Sequence, residues 1–180
     1  MAEIDAHPSA GHTDFFGVLP DDEDGRRWSG AGVELSRQAA AEARQRTGME
    51  IFEGTLEGAG LPPESFDALT MVDVIEHLAS PRSAVREAAR VLKPGGALFI
   101  LTPDISAPVA RLMGKWWWGL RPAHLHYFSR QTLSALLSES GFEVLYCWYF
   151  GRMFTFGYWI SRLKGYAPGL TAVVGKVVGL

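Results

Sequence analysis

An α/β fold with a mostly parallel sheet is predicted by three observations. Short apolar segments alternate with amphipathic ones from residue 31 onward, the stretch 66–74 is mostly apolar, and Ser80-Pro81 and Ser129 stand as helix starts between such stretches. Strand and helix alternating at this spacing implies right-handed crossovers, hence parallel strands with helices on both faces. The 180 residues, 47% apolar and 21% charged, are enough for one domain with its own core.

Each element has its own justification. Residues 31–35 read as a short strand. Ser36 is placed as the N-cap of an alanine-rich helix over 37–47, stopped by Gly48, with Glu42 and Arg46 four apart on its outer face. A second short strand follows at 49–53, then a loop at 54–64 with three glycines and Pro62-Pro63. The apolar run 66–74 suits a strand buried on both faces. Pro81 opens the next helix at a position where its missing N–H costs nothing, and Val85, Ala88, Ala89 and Leu92 mark one face of it. Lys93-Pro94-Gly95-Gly96 reads as a turn into a strand at 97–101. Ser129 caps a helix with Leu133, Leu136 and Leu137 inward, closed by Gly141, and residues 142–150 read as the last strand, with Cys147 in the core.

The flanks differ from this core. Residues 1–30 read as an irregular segment whose acidic run, Asp21 to Asp24, is a solvated loop; ahead of it, Phe15-Phe16-Gly17-Val18-Leu19 suits a short helix or strand ended by Pro20. Residues 151–180 read as one or two amphipathic helices. The expected division is therefore 1–30, 31–150 and 151–180.

Composition narrows the function classes. One cysteine excludes an internal disulfide and a multi-cysteine zinc site, which fits a reducing, cytoplasmic setting. No basic segment followed by an apolar stretch opens the chain, so no signal peptide is expected, and no apolar run reaches about 18 residues, so neither is a spanning helix. The net charge of −3 divides unevenly: residues 1–100 carry 9 basic and 17 acidic side chains, residues 101–180 carry 8 and 3. No nucleic-acid partner is expected from that balance, and an anionic partner would meet the C-terminal part. In open parallel sheets ligands bind beyond the carboxyl ends of the strands. Chemistry is therefore sought at Glu34, at 53–56, at 73–77 and at 102–104.

Four segments, taken in order, carry a resemblance: Gly32-Val33-Glu34-Leu35-Ser36, Ser65-Phe66-Asp67-Ala68-Leu69-Thr70, Asp73-Val74-Ile75-Glu76-His77-Leu78 and Arg90-Val91-Leu92-Lys93-Pro94-Gly95-Gly96. Over residues 31–150 the chain resembles the class I S-adenosylmethionine (SAM)-dependent methyltransferases, close to the ubiquinone-biosynthesis O-methyltransferase branch. The resemblance implies a Rossmann-like three-layer sandwich that moves a methyl group from SAM to a small-molecule or lipid-like acceptor. It implies that Glu34, with Leu35 beside it, accepts hydrogen bonds from the ribose hydroxyls, that Thr55 and Leu56 flank the adenine, and that Asp73 and Val74 close the methionine side. An acid at a strand end suits ribose in dinucleotide folds too, but the 92–96 turn and the missing Gly-x-Gly-x-x-Gly run argue against a nucleotide-dependent oxidoreductase.

The chain departs from that pattern at its start. The family's glycine-rich SAM loop corresponds to residues 9–16, where Gly11 is the one expected glycine present, and residues 1–8 are too polar for a buried first strand. The fold is therefore expected to be incomplete, with SAM bound weakly and the family's last antiparallel strand not reached: either the strands at 31–35 and 66–74 pair directly or an early segment is drawn in as a poor substitute, and direct pairing or disorder of residues 1–14 is the favoured expectation. A non-catalytic methyltransferase-like fragment is the alternative function.

Two further constellations stand out. Some members of the family pair an acid-x-x-Glu-His segment with a later histidine to hold a divalent metal such as Mg. Glu76, His77 and His124 (or His126) would be the ligands here, and the alternative is that Glu76 and His77 make helix-end and loop hydrogen bonds. His77 or His126 could instead be a catalytic general base toward a hydroxyl. Trp116-Trp117-Trp118, with Arg111, Lys115 and Arg121 nearby, cannot all face one side of a helix. They suit either a lid packed on the sheet or peripheral contact with a membrane surface.

Overall fold

A computed structural model describes residues 30–149 and the backbone of residues 16–19. Five strands form one sheet in the order β3-β2-β1-β4-β5. They are β1 (Phe16–Leu19), β2 (Ala31–Glu34), β3 (Glu50–Glu53), β4 (Phe66–Val72) and β5 (Leu92–Leu101). β2 is parallel to β3 and β4 to β5, whereas β1 is antiparallel to both of its neighbours. The other four strands thus share one direction, and their carboxyl ends lie along one edge.

The helices follow from their caps. Ser36 leaves extended backbone and its Oγ accepts the Ala39 N–H at 3.3 Å, starting α1 (Arg37–Thr47), which ends at Gly48. Pro81 opens α2 (Pro81–Val91), and α3 (Pro108–Met113) again begins on proline. Ser129 and Thr132 form a reciprocal capping box at the start of α4 (Arg130–Glu139). From the centre of the sheet, β2–α1–β3 steps one way and β4–α2–β5 the other. Right-handed crossovers then put α1 and α2 on opposite faces, giving three layers with the reversal of strand order between β2 and β4.

The core sits between the sheet and α2. Leu69 and Met71 of β4, Ala88 and Val91 of α2, Leu92, Val33 and the loop residues Leu56 and Leu61 are buried together, with Leu98 and Ile100 packed against them. A second cluster joins Ile75, Val85 and Phe128 to Leu133, Leu136 and Leu137 of α4. Burying a Leu or Met side chain of this kind is worth about 1.5–3 kcal/mol.

Several expectations are corrected. The inner strands β2 and β4 do not pair directly. The uncharged segment Phe16-Gly17-Val18-Leu19 lies between them, matching Phe16 with both Val33 and Met71, because two facing ladders of unpaired amides cost more than recruiting a short apolar strand. The short helix or strand expected at 15–19 is thus a strand, Phe16–Leu19. β4 is not buried on both faces: Leu69 and Met71 are buried against α2, while Val72 and, on β5, Phe99 are exposed. Lys93-Pro94-Gly95-Gly96 does not precede a separate strand but lies within β5, whose register slips so that Phe66 pairs with Leu92 and Ala68 with Ala97. Glycine is needed in this bulge, since a Cβ at Gly96 would lie 2.9 Å from the Lys93 carbonyl oxygen and 3.1 Å from that of Asp67.

Finally, residues 142–149 form no strand, and Cys147 is exposed rather than in the core. The side chains of Leu145, Tyr146, Trp148 and Tyr149 are exposed as well. High β-propensity reflects packing on a half-buried pleated surface and does not by itself place a segment in a sheet. The chain divides into two units between Leu145 and Tyr146; in the described part of the second, the Tyr146 and Trp148 rings stand 6.5 Å apart. Gly11, the polar stretch 1–8, the acidic run 21–24 and the helices expected in 151–180 lie outside the described residues.

Candidate functional site

The carboxyl edge of the sheet gathers the predicted residues in two groups. The first is at the end of β2. Glu34 is 1% exposed, and its Oε1 accepts the Ser36 N–H at 2.8 Å, so the residue that ends the strand also orients the start of α1. Its backbone carbonyl accepts the Gly54 N–H at 3.0 Å, drawing the loop after β3 to the same edge. There Thr55 is exposed, with its Oγ1 accepting the Gly58 N–H at 3.1 Å, and Leu35 is exposed. Leu56 and Val74 are buried in the core cluster. Glu53, the matching acid on β3, is engaged by Arg37 at 3.5 Å and Arg44 at 3.0 Å, which separates it from Glu34 in role.

The second group begins where β4 ends. Asp73 has φ 54°, a left-handed conformation uncommon for a residue with a side chain, and its N–H donates to the Leu101 carbonyl at 2.8 Å. That turn throws the chain into a single 3-10 turn, Ile75–His77. Ile75 is held in the second core cluster, and Glu76 is 2% exposed. Its Oε2 accepts the Thr102 hydroxyl at 2.8 Å, from just beyond β5, and its Oε1 makes no hydrogen bond. Burial pushes the Glu76 pKa up, while its own backbone N–H and the Thr102 hydroxyl pull it down; the Asp73 charge adds to the rise and His77 opposes it.

The loop before α4 is fastened onto this turn. The Glu76 carbonyl accepts the N–H groups of Leu125 at 2.9 Å and His126 at 3.1 Å. His77 Nδ1 lies 2.8 Å from the Ala123 carbonyl oxygen. A carbonyl only accepts, so Nδ1 carries the hydrogen and Nε2 of the neutral ring keeps its lone pair. His124 then meets His77 edge to face, with ring centroids 4.7 Å apart. One ligand atom each from Glu76, His77 and His124 lie within 4.8 Å of one another. Of the two later histidines the structure brings His124 to this cluster; the His126 ring lies by Phe128, 6.2 Å between centroids.

Thr102 and the Ala123 carbonyl complete this group. The position of Thr102 at a strand end was legible, but its bond to Glu76 was not. The tryptophans divide as their spacing requires: Trp117 is 4% exposed and Trp116 62%, in a 3-10 turn (Gly114–Trp116) after α3. Among the described residues no helix is long and apolar enough to cross a membrane.

A family profile described as a methyltransferase domain matches residues 11–146. A probable S-adenosylmethionine-dependent methyltransferase of Mycolicibacterium smegmatis is 33% identical over 115 residues, 63% of this chain and 43% of that one. A ubiquinone biosynthesis O-methyltransferase of Azoarcus is 32% identical over 82 residues, 40% of this chain and 34% of that one. The crystal structure of a SAM-dependent methyltransferase of Thermotoga maritima, described as a possible histamine N-methyltransferase, aligns with a TM-score of 0.55 at 34% identity, covering 62% of this chain and 54% of that one. The chain thus spans less than half the length of these two curated relatives. With a methyltransferase-domain profile matching most of its length, the chain belongs to the class I SAM-dependent methyltransferase family.

Proposed function

We propose that this chain binds SAM at the carboxyl edge of its sheet and directs methyl transfer to a hydroxyl of a small-molecule or lipid-like acceptor. The observation that carries the reading is Glu34, a buried carboxylate at the carboxyl end of β2, beside the reversal of strand order where such folds bind nucleosides. One lone pair of Glu34 is taken by the Ser36 N–H, and an ionised carboxylate has others to accept from ribose hydroxyls. SAM supplies an already activated methyl group, so the protein's task is chiefly to align the acceptor.

Acceptor handling is assigned to the second group. His77, with its tautomer set by the Ala123 carbonyl, presents Nε2 as a base that takes the acceptor's hydroxyl proton. Alternatively, His77 Nε2 is a ligand rather than a base, and Glu76, His77 and His124 fit a divalent cation. Ligands about 2.0–2.2 Å from a metal stand at most about 4.4 Å apart, so a cluster within 4.8 Å needs only small side-chain movements to close. A cation there would polarise the acceptor hydroxyl and lower its pKa. Two imidazoles and one carboxylate suit a borderline 3d ion better than Mg. The Azoarcus relative, an O-methyltransferase by name, supports a hydroxyl acceptor.

A second reading, a methyltransferase-like domain with weak SAM affinity, is favoured by one observation. β1 runs antiparallel to its neighbours, so its C-terminal residue Leu19 lies at the edge opposite Glu34. Titrating SAM into the full chain by calorimetry, followed by transfer of labelled methyl to catechol and alkyl-phenol acceptors, separates the two. Transfer supports the first reading. Absence of measurable SAM binding rejects it.

A further inference from the structure

We propose that Thr102 is a positioning residue: its hydroxyl pins one oxygen of Glu76 so that the other stays available beside His77 and His124. The inference rests on the reading of that cluster as a cation site. Glu76 lies in the turn after β4 and Thr102 directly follows β5, so the pairing of these two strands sets their meeting. Val72 pairs with Leu101, and the Asp73 N–H extends that ladder to the Leu101 carbonyl at 2.8 Å. Thr102 is the next residue, so its reach to Glu76 is fixed by the parallel ladder rather than by a mobile loop.

The bond is directional. An ionised carboxylate has no hydrogen, so the 2.8 Å contact is Thr102 Oγ1–H donating to Glu76 Oε2. Oε1 of the same buried carboxylate makes no hydrogen bond. A buried carboxylate oxygen without a donor is costly unless a ligand completes it, and one oxygen of this carboxylate lies within 4.8 Å of a ring nitrogen of each of the two imidazoles. Without Thr102 the carboxylate could rotate about its terminal torsion, which is broad and roughly two-fold. The angle at which it meets a cation would then be lost, although every ligand would remain.

The test is a titration of the full chain with Co²⁺, followed by visible absorption and calorimetry, for wild type, Thr102→Val and Thr102→Ser. Valine keeps the shape and removes the donor; serine keeps the donor. Loss of an outer partner to a metal ligand costs about 10–100-fold in affinity. Thr102→Val is therefore expected to bind Co²⁺ at least about 10-fold more weakly with altered d–d bands, and Thr102→Ser to return most of the affinity and the wild-type spectrum. Far-ultraviolet circular dichroism checks folding, and Thr102→Ala replaces the valine variant if that one does not fold. Valine binding Co²⁺ as wild type does, or serine failing to rescue, overturns the positioning role while leaving the cation site standing. A wild-type chain that does not bind Co²⁺ overturns the cation reading and this inference with it.

Discussion

Replacing Glu34 by glutamine separates its two jobs. In the structure Oε1 accepts the Ser36 N–H at 2.8 Å, which fixes the start of α1, and the proposed second job is to accept from the ribose hydroxyls of SAM. An amide carbonyl can still accept from Ser36, so Glu34→Gln should melt within a few degrees of wild type. The charge-assisted bonds to ribose are lost, and hydrogen bonds to charged groups are worth about 1.5–3 kcal/mol. At about 1.4 kcal/mol per factor of ten, SAM affinity should fall about 10–150-fold. Glu34→Ala should lose the same affinity and also about 1 kcal/mol of stability, because the buried Ser36 bond goes too. Calorimetric titration with SAM, read beside thermal melts of all three proteins, makes the comparison. Glu34→Gln binding SAM as tightly as wild type would refute the ribose assignment. A glutamine variant that melts as low as the alanine one would show that the carboxylate matters for folding rather than for ligand.

Three other outcomes are expected. Burial raises the Glu76 pKa above its ordinary 4.5, so between about 4.5 and the raised value the folded chain holds a proton that the unfolded chain has released. Stability of the metal-free chain should fall as pH rises through that window and stay lower above it; Glu76→Gln should flatten this dependence and raise the melting temperature at pH 7, and an unchanged profile would contradict the desolvation argument. His124→Ala should weaken Co²⁺ binding by at least about 10-fold while His126→Ala leaves it within about 2-fold, measured by the same absorption titration. A Cβ at Gly119 would lie 2.5 Å from the buried Trp117 ring, so Gly119→Ala should cost about 1–3 kcal/mol in urea unfolding.

Local chemistry made much of the frame legible. Ser36, Gly48, Pro81 and Ser129 begin or end helices because each solves the unpaired backbone groups of a helix end by itself. Glu34 could be placed at a strand end because a carboxylate after an apolar run, followed by a cap, has few other places to be. Glu76 and His77 could be named with a later histidine only through the resemblance to the methyltransferase family, not from local chemistry. What could not be read was which later histidine arrives: His124 and His126 have the same spacing from the turn within two residues, and the choice is made by two backbone bonds from Leu125 and His126 to the Glu76 carbonyl.

Residue patterns along the chain determined which segments can become helix or strand and which acids and imidazoles fall near strand ends, since these depend on neighbours three or four positions away. Only the tertiary structure decided which segments share a ladder. Residues 142–149 have the composition of a strand yet form none, and Phe16–Leu19, ambiguous on its own, lies between β2 and β4. The physical reason is that a strand's backbone is satisfied by other strands. Its fate depends on which edges are unpaired elsewhere in the chain, whereas a helix satisfies most of its backbone from within.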